Sequence, residues 1–192
     1  MTSARPLRAD AARNRKKILD AAREQIAAHG PDIGMDEIAA AAGVAVGTLY
    51  RHFPAKTDLI EAVLADWVDS VADGLEAAVA RLDAGSRALE EIAAFLRHFV
   101  DTAANDMAVK NAARAIGADT DPDTPLQRVT AALNTLIRTG QAEGDIHPDV
   151  TLDDFHLLLD GAPARRTPEA ADRWLTLVLP GLTARGRPVP TT

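Results

Sequence analysis

A run of polar and basic side chains at 48–52 carries groups that suit contact with a nucleic acid. Thr48 has both a hydroxyl and a methyl group, so it can contact a phosphate or a thymine methyl. Tyr50 and His52 offer donors for phosphate oxygens, and Arg51 can bind a guanine edge or a phosphate. These four side chains can act together only if one element presents them on an exposed side.

The residues around this run predict two short helices joined by a sharp turn. We expect helices at 35–42 and 46–53, and Gly43 between them supplies the left-handed backbone conformation that a sharp turn requires. Leu49 and Phe53 lie four residues apart, so both would face the core and leave the polar run outside. This arrangement is the helix-turn-helix, whose second helix is shaped to enter the major groove of DNA.

The rest of the chain also shows helical patterns, and nothing in it reads convincingly as a strand. From about Ala55 to Leu82, apolar residues recur every three or four positions, which predicts one long helix. Further helices are predicted at 10–29, 86–104, 106–117, 124–142, 151–160 and 168–184. The sequence therefore predicts an all-α fold, with three helices in the N-terminal part and a larger helical part after them.

The composition argues against catalysis, a metal site or a cofactor. The chain has no cysteine, which excludes disulfides, thiolate zinc sites and cysteine nucleophiles. Its five histidines show no metal-ligand pairing, and neither a glycine-rich phosphate loop nor a nucleophile elbow is present. No apolar run approaches the roughly 20 residues of a membrane span, and the start lacks the apolar stretch of a signal peptide. We expect a cytoplasmic protein that is not an enzyme.

The net charge of −7 conceals a basic N-terminus. Residues 1–17 hold six Arg and Lys side chains and one Asp, a balance of +5, which leaves −12 for the remainder. DNA affinity depends on local neutralisation of phosphates, so this distribution favours DNA contact near the N-terminus. A solvated basic tail is the alternative interpretation of these residues.

The segment from Ala42 to Lys56, AGVAVGTLYRHFPAK, resembles the signature of the TetR family of bacterial regulators. The resemblance extends upstream to the helix around Ile18 and downstream to Leu59, so it covers roughly residues 13–64. The domains that it implies are a flexible basic arm at 1–9, a helix-turn-helix DNA-binding domain at 10–64, a helical ligand-binding and dimerisation domain at 65–185, and a disordered tail at 186–192.

The resemblance implies that the second short helix and its surroundings contact DNA. The nine residues predicted to do so are Arg13, Met35, Val46, Gly47, Thr48, Tyr50, Arg51, His52 and Lys56. The chain departs from the family pattern at Gly34 and Ala45, where a serine or threonine helix cap is usual, and at Val46, where a polar base-reading residue often stands. Losing a cap costs about 0.5–2 kcal/mol for alanine and only a few tenths for glycine, so the fold is not threatened.

Proteins that resemble TetR bind an inducer and dimerise through the domain that follows. The helices that line the pocket in such proteins carry Trp67, Phe95, His98, Phe99 and Met107 here, each of which could instead belong to the core. Dimerisation through the last two major helices would use Leu152, Phe155, Leu158, Leu159, Trp174, Leu175, Val178 and Leu182. For each of these, burial within one chain is an equal alternative.

The function implied is that of a homodimeric repressor that binds a palindromic operator in double-stranded DNA and is released by a small organic inducer. An activator is equally compatible with the residues, because that difference depends on where the operator lies. The alternative function is that of a helical module that binds protein partners and not DNA. Such a module would need neither the exposed 48–52 run nor the basic N-terminus.

Overall fold

A computed structural model describes residues 4–115, 125–162 and 168–185, with side chains except at 4–9, 103–107, 110, 114–115, 160 and 168. Within these ranges the chain forms eight α-helices and one isolated bridge between Ile146 and Thr183, so the prediction of an all-α fold is confirmed. The helices are α1 Ala4–His29, α2 Met35–Ala42, α3 Val46–His52, α4 Lys56–Asp83, α5 Ala88–Ala115, α6 Pro125–Ala142, α7 Leu152–Asp160 and α8 Pro168–Leu182.

Helix boundaries differ from the prediction mainly in α1 and α5. Helix α1 begins at Ala4, six residues before the expected start, and side chains at 1–9 lie outside the described residues. The predicted break near Ala104 was wrong, because α5 continues as one helix of 28 residues. Neither glycine nor proline interrupts α5, and Asn105 and Asp106 are weak helix formers rather than helix breakers. The predicted tail at 186–192 lies outside the described residues.

Contacts along the chain define two compact units, which we call the N-terminal and C-terminal units. The N-terminal unit runs to Trp67 and includes α5 from Asn105 onward, whereas the C-terminal unit includes α4 from Val68 and α5 up to Ala104. The sequence did not indicate that the second half of α5 would join the N-terminal unit. It does so because Val109, Ala112 and Ala113 are buried in the N-terminal core.

The core of the N-terminal unit fixes α2 and α3 against α1 and the start of α4. Its fully buried large side chains share an inward position on these helices and include Ile18, Leu19, Ile26, Ile38, Leu49, Leu59 and Ile60. Burial of one such side chain stabilises a fold by about 1.5–3 kcal/mol relative to exposure. This core therefore determines which side of α3 remains outside.

The C-terminal unit has a separate core formed by parts of α4 and α5 with α6, α7 and α8. Its largest buried side chain is Phe155, which is 0% exposed. The loop between α6 and α7 pairs with the end of α8, where the His147 N–H donates to the Leu182 carbonyl at 2.9 Å and the Ala184 N–H donates to the Asp145 carbonyl at 2.9 Å. None of the helices in the described ranges is both long and apolar enough to cross a membrane.

Candidate nucleic-acid interface

The turn between α2 and α3 depends on the backbone of Gly43. This residue has φ 65° and ψ 33°, the left-handed conformation that side chains with a Cβ resist. Its N–H donates to the Ala40 carbonyl at 3.1 Å, and the Val44 N–H donates to the Ala39 carbonyl at 3.0 Å. These bonds end α2 and redirect the chain into α3, as the sequence predicted for this glycine.

Helix α3 is anchored by one face only. Leu49 is 0% exposed and Phe53 is 4% exposed, and the Phe53 N–H donates to the Leu49 carbonyl at 2.8 Å. Phe53 follows the last residue of α3, so α3 is one residue shorter than predicted. The two buried side chains hold both ends of the second turn against the core.

The opposite face of α3 is open. Val46 is 40% exposed and Tyr50 is 45% exposed, which is unusual for large side chains with apolar surface. Gly47 and Arg51 are also exposed, and Thr48 and His52 are half-buried at the edges of the same face. We call these six residues, 46–48 and 50–52, the recognition face. Its side chains can contact apolar methyl groups, phosphates and base edges together.

Two cap positions lack side-chain acceptors, as the sequence indicated. Gly34 precedes α2, and its N–H donates instead to Glu37 Oε2 at 2.9 Å. Ala45 precedes α3 and offers no side-chain oxygen to its first turn. By contrast, the Ala55 N–H before α4 donates to Asp58 Oδ2 at 2.9 Å. The start of α3 is therefore held by backbone bonds and core packing alone.

The N-terminal unit also carries basic side chains on α1 and α4, outside the recognition face. Arg13 is exposed and forms an ion pair with Asp10 on its own helix, and Lys56 is the half-buried first residue of α4. The Arg15 guanidinium lies over the Phe53 ring, 5.5 Å from the ring centre. We did not single out Arg15 from the sequence. Its spacing of three residues from Ile18 was the available signal, because that spacing places it on the same side of α1 as the core.

Met35 is the one predicted DNA-contact residue whose side chain lies inside. It is 8% exposed and belongs to the N-terminal core. Only its backbone at the start of α2 is therefore available for contact with another molecule. The other eight side chains or backbone positions are at least partly accessible.

The residues predicted to line a ligand pocket are divided between the two units. Trp67 packs against the N-terminal core, whereas Phe95 and Phe99 lie in the C-terminal unit with ring centres 6.3 Å apart. Phe99 is 9% exposed and His98 is exposed. The side chain of Met107 lies outside the described residues. The lining of an inducer pocket stays a prediction.

The residues predicted to form a dimer interface fall into two groups. Phe155, Leu175 and Leu182 are at most 4% exposed within one chain, so they stabilise the C-terminal core. The half-buried members are Leu152, Leu158, Leu159, Trp174 and Val178. Leu157 on α7 and Leu177 on α8, which the sequence did not single out, are 74% and 61% exposed. Leu157 lies in the leucine run 157–159 and Leu177 in the segment 175–179, where Thr176 is the one polar residue, so sequence alone did not separate them from their more buried neighbours.

Comparison with known families and proteins gives matches over most of the chain. The model of bacterial regulatory proteins of the tetR family matches residues 18–63, and that of the C-terminal domain of SbtR-like transcriptional regulators matches residues 87–184. The HTH-type transcriptional repressor LfrR of Mycolicibacterium smegmatis is 39% identical over 90 residues, which are 47% of this chain and 43% of that protein. TtgW of Pseudomonas putida, described as an uncharacterized HTH-type transcriptional regulator, is 46% identical over 63 residues, which are 32% of this chain and 47% of that protein. The alignments thus span less than half the length of these curated relatives.

Two solved structures match over nearly their whole length. A TetR transcription regulatory protein from Mycobacterium vanbaalenii has a TM-score of 0.75 and 33% identity, covering 93% of this chain and 99% of that one. A TetR transcriptional regulator from Streptomyces coelicolor has a TM-score of 0.72 and 34% identity, covering 88% of this chain and 98% of that one. A γ-butyrolactone receptor, at 22% identity and a TM-score of 0.64, shares the fold.

Proposed function

The chain belongs to the TetR family of bacterial regulatory proteins, and from that premise we propose that it is a DNA-binding transcriptional repressor. In this proposal a homodimer binds a palindromic operator and is released by a small organic inducer. The proposal places the protein in the cytoplasm, where its operator and inducer would be met. Catalysis has no part in it, since the relatives named above are regulators.

The observation that supports DNA binding most directly is the recognition face. Leu49 and Phe53 are buried in the core. Tyr50, Arg51 and the rest of the recognition face are therefore accessible to a major groove. In a helix-turn-helix, the second helix places side chains on base edges while flanking residues contact the phosphates. Arg13 and Lys56 would supply part of the phosphate contact, which carries much of the affinity and its dependence on salt.

Dimerisation follows from the reach of one recognition helix. A single helix-turn-helix contacts too few base pairs to find one site in a genome, whereas two of them read half-sites roughly 34–36 Å apart. Leu157 on α7 and Leu177 on α8 are exposed, and Trp174 and Val178 on α8 are half-buried, so each helix carries apolar area that a second copy could cover. A self-complementary pair of such surfaces would make a four-helix interface about a two-fold axis.

Release by a ligand is proposed as a two-state change that involves α4. This helix contributes residues to both units, with Leu59 in the N-terminal core and Leu75 in the C-terminal core. A ligand that binds more tightly to a conformation in which α4 has rotated would favour that conformation. The two recognition helices of the dimer would then no longer match the spacing of successive major grooves. A differential binding energy of about 1–3 kcal/mol is typical of such coupling.

Selection of bound duplexes from a random pool tests the proposal. We expect a palindromic consensus and a linear fall of log K with log salt. Arg51→Ala should weaken binding strongly, and its matched control is Arg138→Ala, which removes an exposed cation from α6 in the C-terminal unit. Failure to enrich any duplex at low salt would favour the alternative, a helical module for protein partners.

A further inference from the structure

A groove in the C-terminal unit lies between α4 and α6, and its lining includes none of the residues predicted to line the inducer pocket. Its volume is about 600 Å³, within the roughly 300–1,000 Å³ that small-molecule sites occupy. Its lining residues are Glu76, Val79, Ala80, Asp83, Gln127, Arg128, Ala131, Ala132 and Thr135. The groove exists because both helices present alanines where they face each other, so the helices leave space between their side chains.

The floor of the groove is apolar. Ala132 is 5% exposed and Val79 is half-buried, and Ala80 and Ala131 form the adjoining walls. Such a surface favours the flat face of an aromatic or alicyclic body, because burial of apolar area stabilises the complex by about 25 cal/mol per Å². The amide of Gln127 and the hydroxyl of Thr135 are the neutral polar groups at its edges.

One end of the groove is formed by an arginine that is surrounded by carboxylates. Arg128 Nε donates to Glu76 Oε1 at 2.9 Å, and its Nη2 donates to Glu76 Oε2 at 2.8 Å. Its Nη1 and Nη2 also donate to Asp69 at 3.1 Å and to Asp73 at 2.5 Å. Hydrogen bonds that Arg128 donates to Glu76 and Asp73 raise the pKa of Arg128 above its usual range, and the same bond lowers the pKa of Glu76. The guanidinium of Arg128 and the carboxylate of Glu76 are therefore both charged near neutral pH.

The charge around the groove is negative despite this arginine. Three carboxylates face the single guanidinium of Arg128, and Asp83 adds a further negative charge at the opposite end of the lining. Glu76 and Asp83 are seven residues apart on α4, which separates them by about 10 Å along the helix. An occupant that matches this surface has a positive charge and an apolar body of about that length.

We propose that the α4–α6 groove binds an organic cation, with its apolar ring system on Val79, Ala131 and Ala132 and its positive charge beside Asp83. The site is distinct from the predicted inducer pocket, and its occupation does not depend on the proposed DNA-binding function. Glu76 remains paired with Arg128 at the other end of the groove, so Asp83 is the carboxylate that faces the positive charge of the occupant.

The test uses N-methylacridinium, a permanent aromatic cation, and acridine, its uncharged parent at pH 8. Binding to the full-length protein is measured by equilibrium dialysis without DNA. We expect Asp83→Asn to weaken N-methylacridinium binding by about fivefold, because an exposed ion pair contributes up to about 1 kcal/mol. We expect Ala131→Phe, a change at an exposed position that fills the groove, to abolish it.

The matched control is Asp66→Asn, which removes an exposed carboxylate from α4 in the N-terminal unit. It should leave binding unchanged, and acridine should bind more weakly than N-methylacridinium to the parent protein. The proposal is overturned by no binding of N-methylacridinium, by equal binding of acridine, or by binding that survives both groove substitutions. DNA binding of the same variants, measured without either compound, tests the proposed function separately.

Discussion

Arg15 on α1 lies over the ring of Phe53, with its guanidinium carbon 5.5 Å from the ring centre, and so connects α1 to the residue that ends α3. Phe53 is itself 4% exposed, which makes its ring a fixed platform for the cation. A single side chain thus helps to fix the orientation of the helix that carries the recognition face.

Arg15→Ala should lower both the stability and the DNA affinity of the protein. A cation–π contact at an exposed site contributes about 0.5–1 kcal/mol to the free energy of unfolding, which urea denaturation can measure. The matched control is Lys17→Ala, which removes the same charge from an exposed position on α1. If the two variants lose the same stability and the same affinity, Arg15 acts only as a surface charge and its contact with Phe53 is unimportant.

Gly43→Ala and Gly47→Ala should change stability in opposite directions. Gly43 has φ 65°, and a left-handed residue with a Cβ costs about 1–2 kcal/mol, although no atom lies within 4 Å of the added carbon. Gly47 lies within α3 with equally open surroundings, so alanine there should add about 0.5–1 kcal/mol of stability. Thermal unfolding of both variants measures the difference.

The Gly47 variant also separates stability from DNA binding. Its added methyl group stands on the recognition face, where we propose that the start of α3 approaches DNA closely. We therefore expect a more stable protein that binds its operator more weakly. A Gly47→Ala protein with unchanged affinity would show that the groove of DNA does not come close to this position.

The sequence predicted the α2–α3 pair well because local signals agree there. Gly43 adopts a left-handed backbone conformation that residues with a Cβ resist. The spacing of Leu49 and Phe53 places both on the same face of the second helix, so only that face can pack on the core. The family resemblance pointed to the same helices. The buried side chain of Met35 could not be foreseen, because a first-turn residue can face either way until the position of α1 is known.

The C-terminal unit was less predictable because its signals are not local. The continuation of α5 beyond Asn105 is favoured by the burial of Val109, Ala112 and Ala113 in the N-terminal core, which offsets weak helix propensity. Leu157 and Leu158 are adjacent and chemically identical, yet one is 74% exposed and the other half-buried. The groove at Arg128 depends on residues about 50 positions apart that no periodicity connects.

The buried carboxylate of Glu91 should make stability depend on pH. Glu91 is 6% exposed, and it accepts from Arg81 Nη2 at 2.6 Å and from Ser86 Oγ at 2.6 Å. The Arg81 hydrogen bonds lower the pKa of Glu91 below its ordinary value of 4.5 more than burial raises it. The carboxylate therefore contributes its full stabilisation above pH 4.5, and this contribution is lost as the pH falls through the lowered pKa of the folded state.

Glu91→Gln should consequently be less stable than the parent at pH 7, with the difference narrowing as the medium is acidified below pH 4.5. Urea denaturation at a series of pH values measures both proteins. Glu90→Gln, at the exposed neighbouring position, should change little at any pH. A stability difference between parent and Glu91→Gln that is the same at pH 7 and in acid would show that the ion pair with Arg81 is not its source.

Leu157→Glu and Leu177→Glu should convert the proposed dimer to monomers without unfolding the chain. Both side chains are mostly exposed within one protomer, at 74% and 61%, so a carboxylate costs little there until a second copy covers it. Burial of an unpaired charge in an interface is strongly unfavourable, and operator affinity should fall with the dimer because one half-site no longer supports the other. Sedimentation measures the mass, and Leu126→Glu on α6, where the leucine is 42% exposed, is the matched control. Dimers that persist in both variants would place the interface on another surface, and monomers formed equally by Leu126→Glu would point to a general loss of folding.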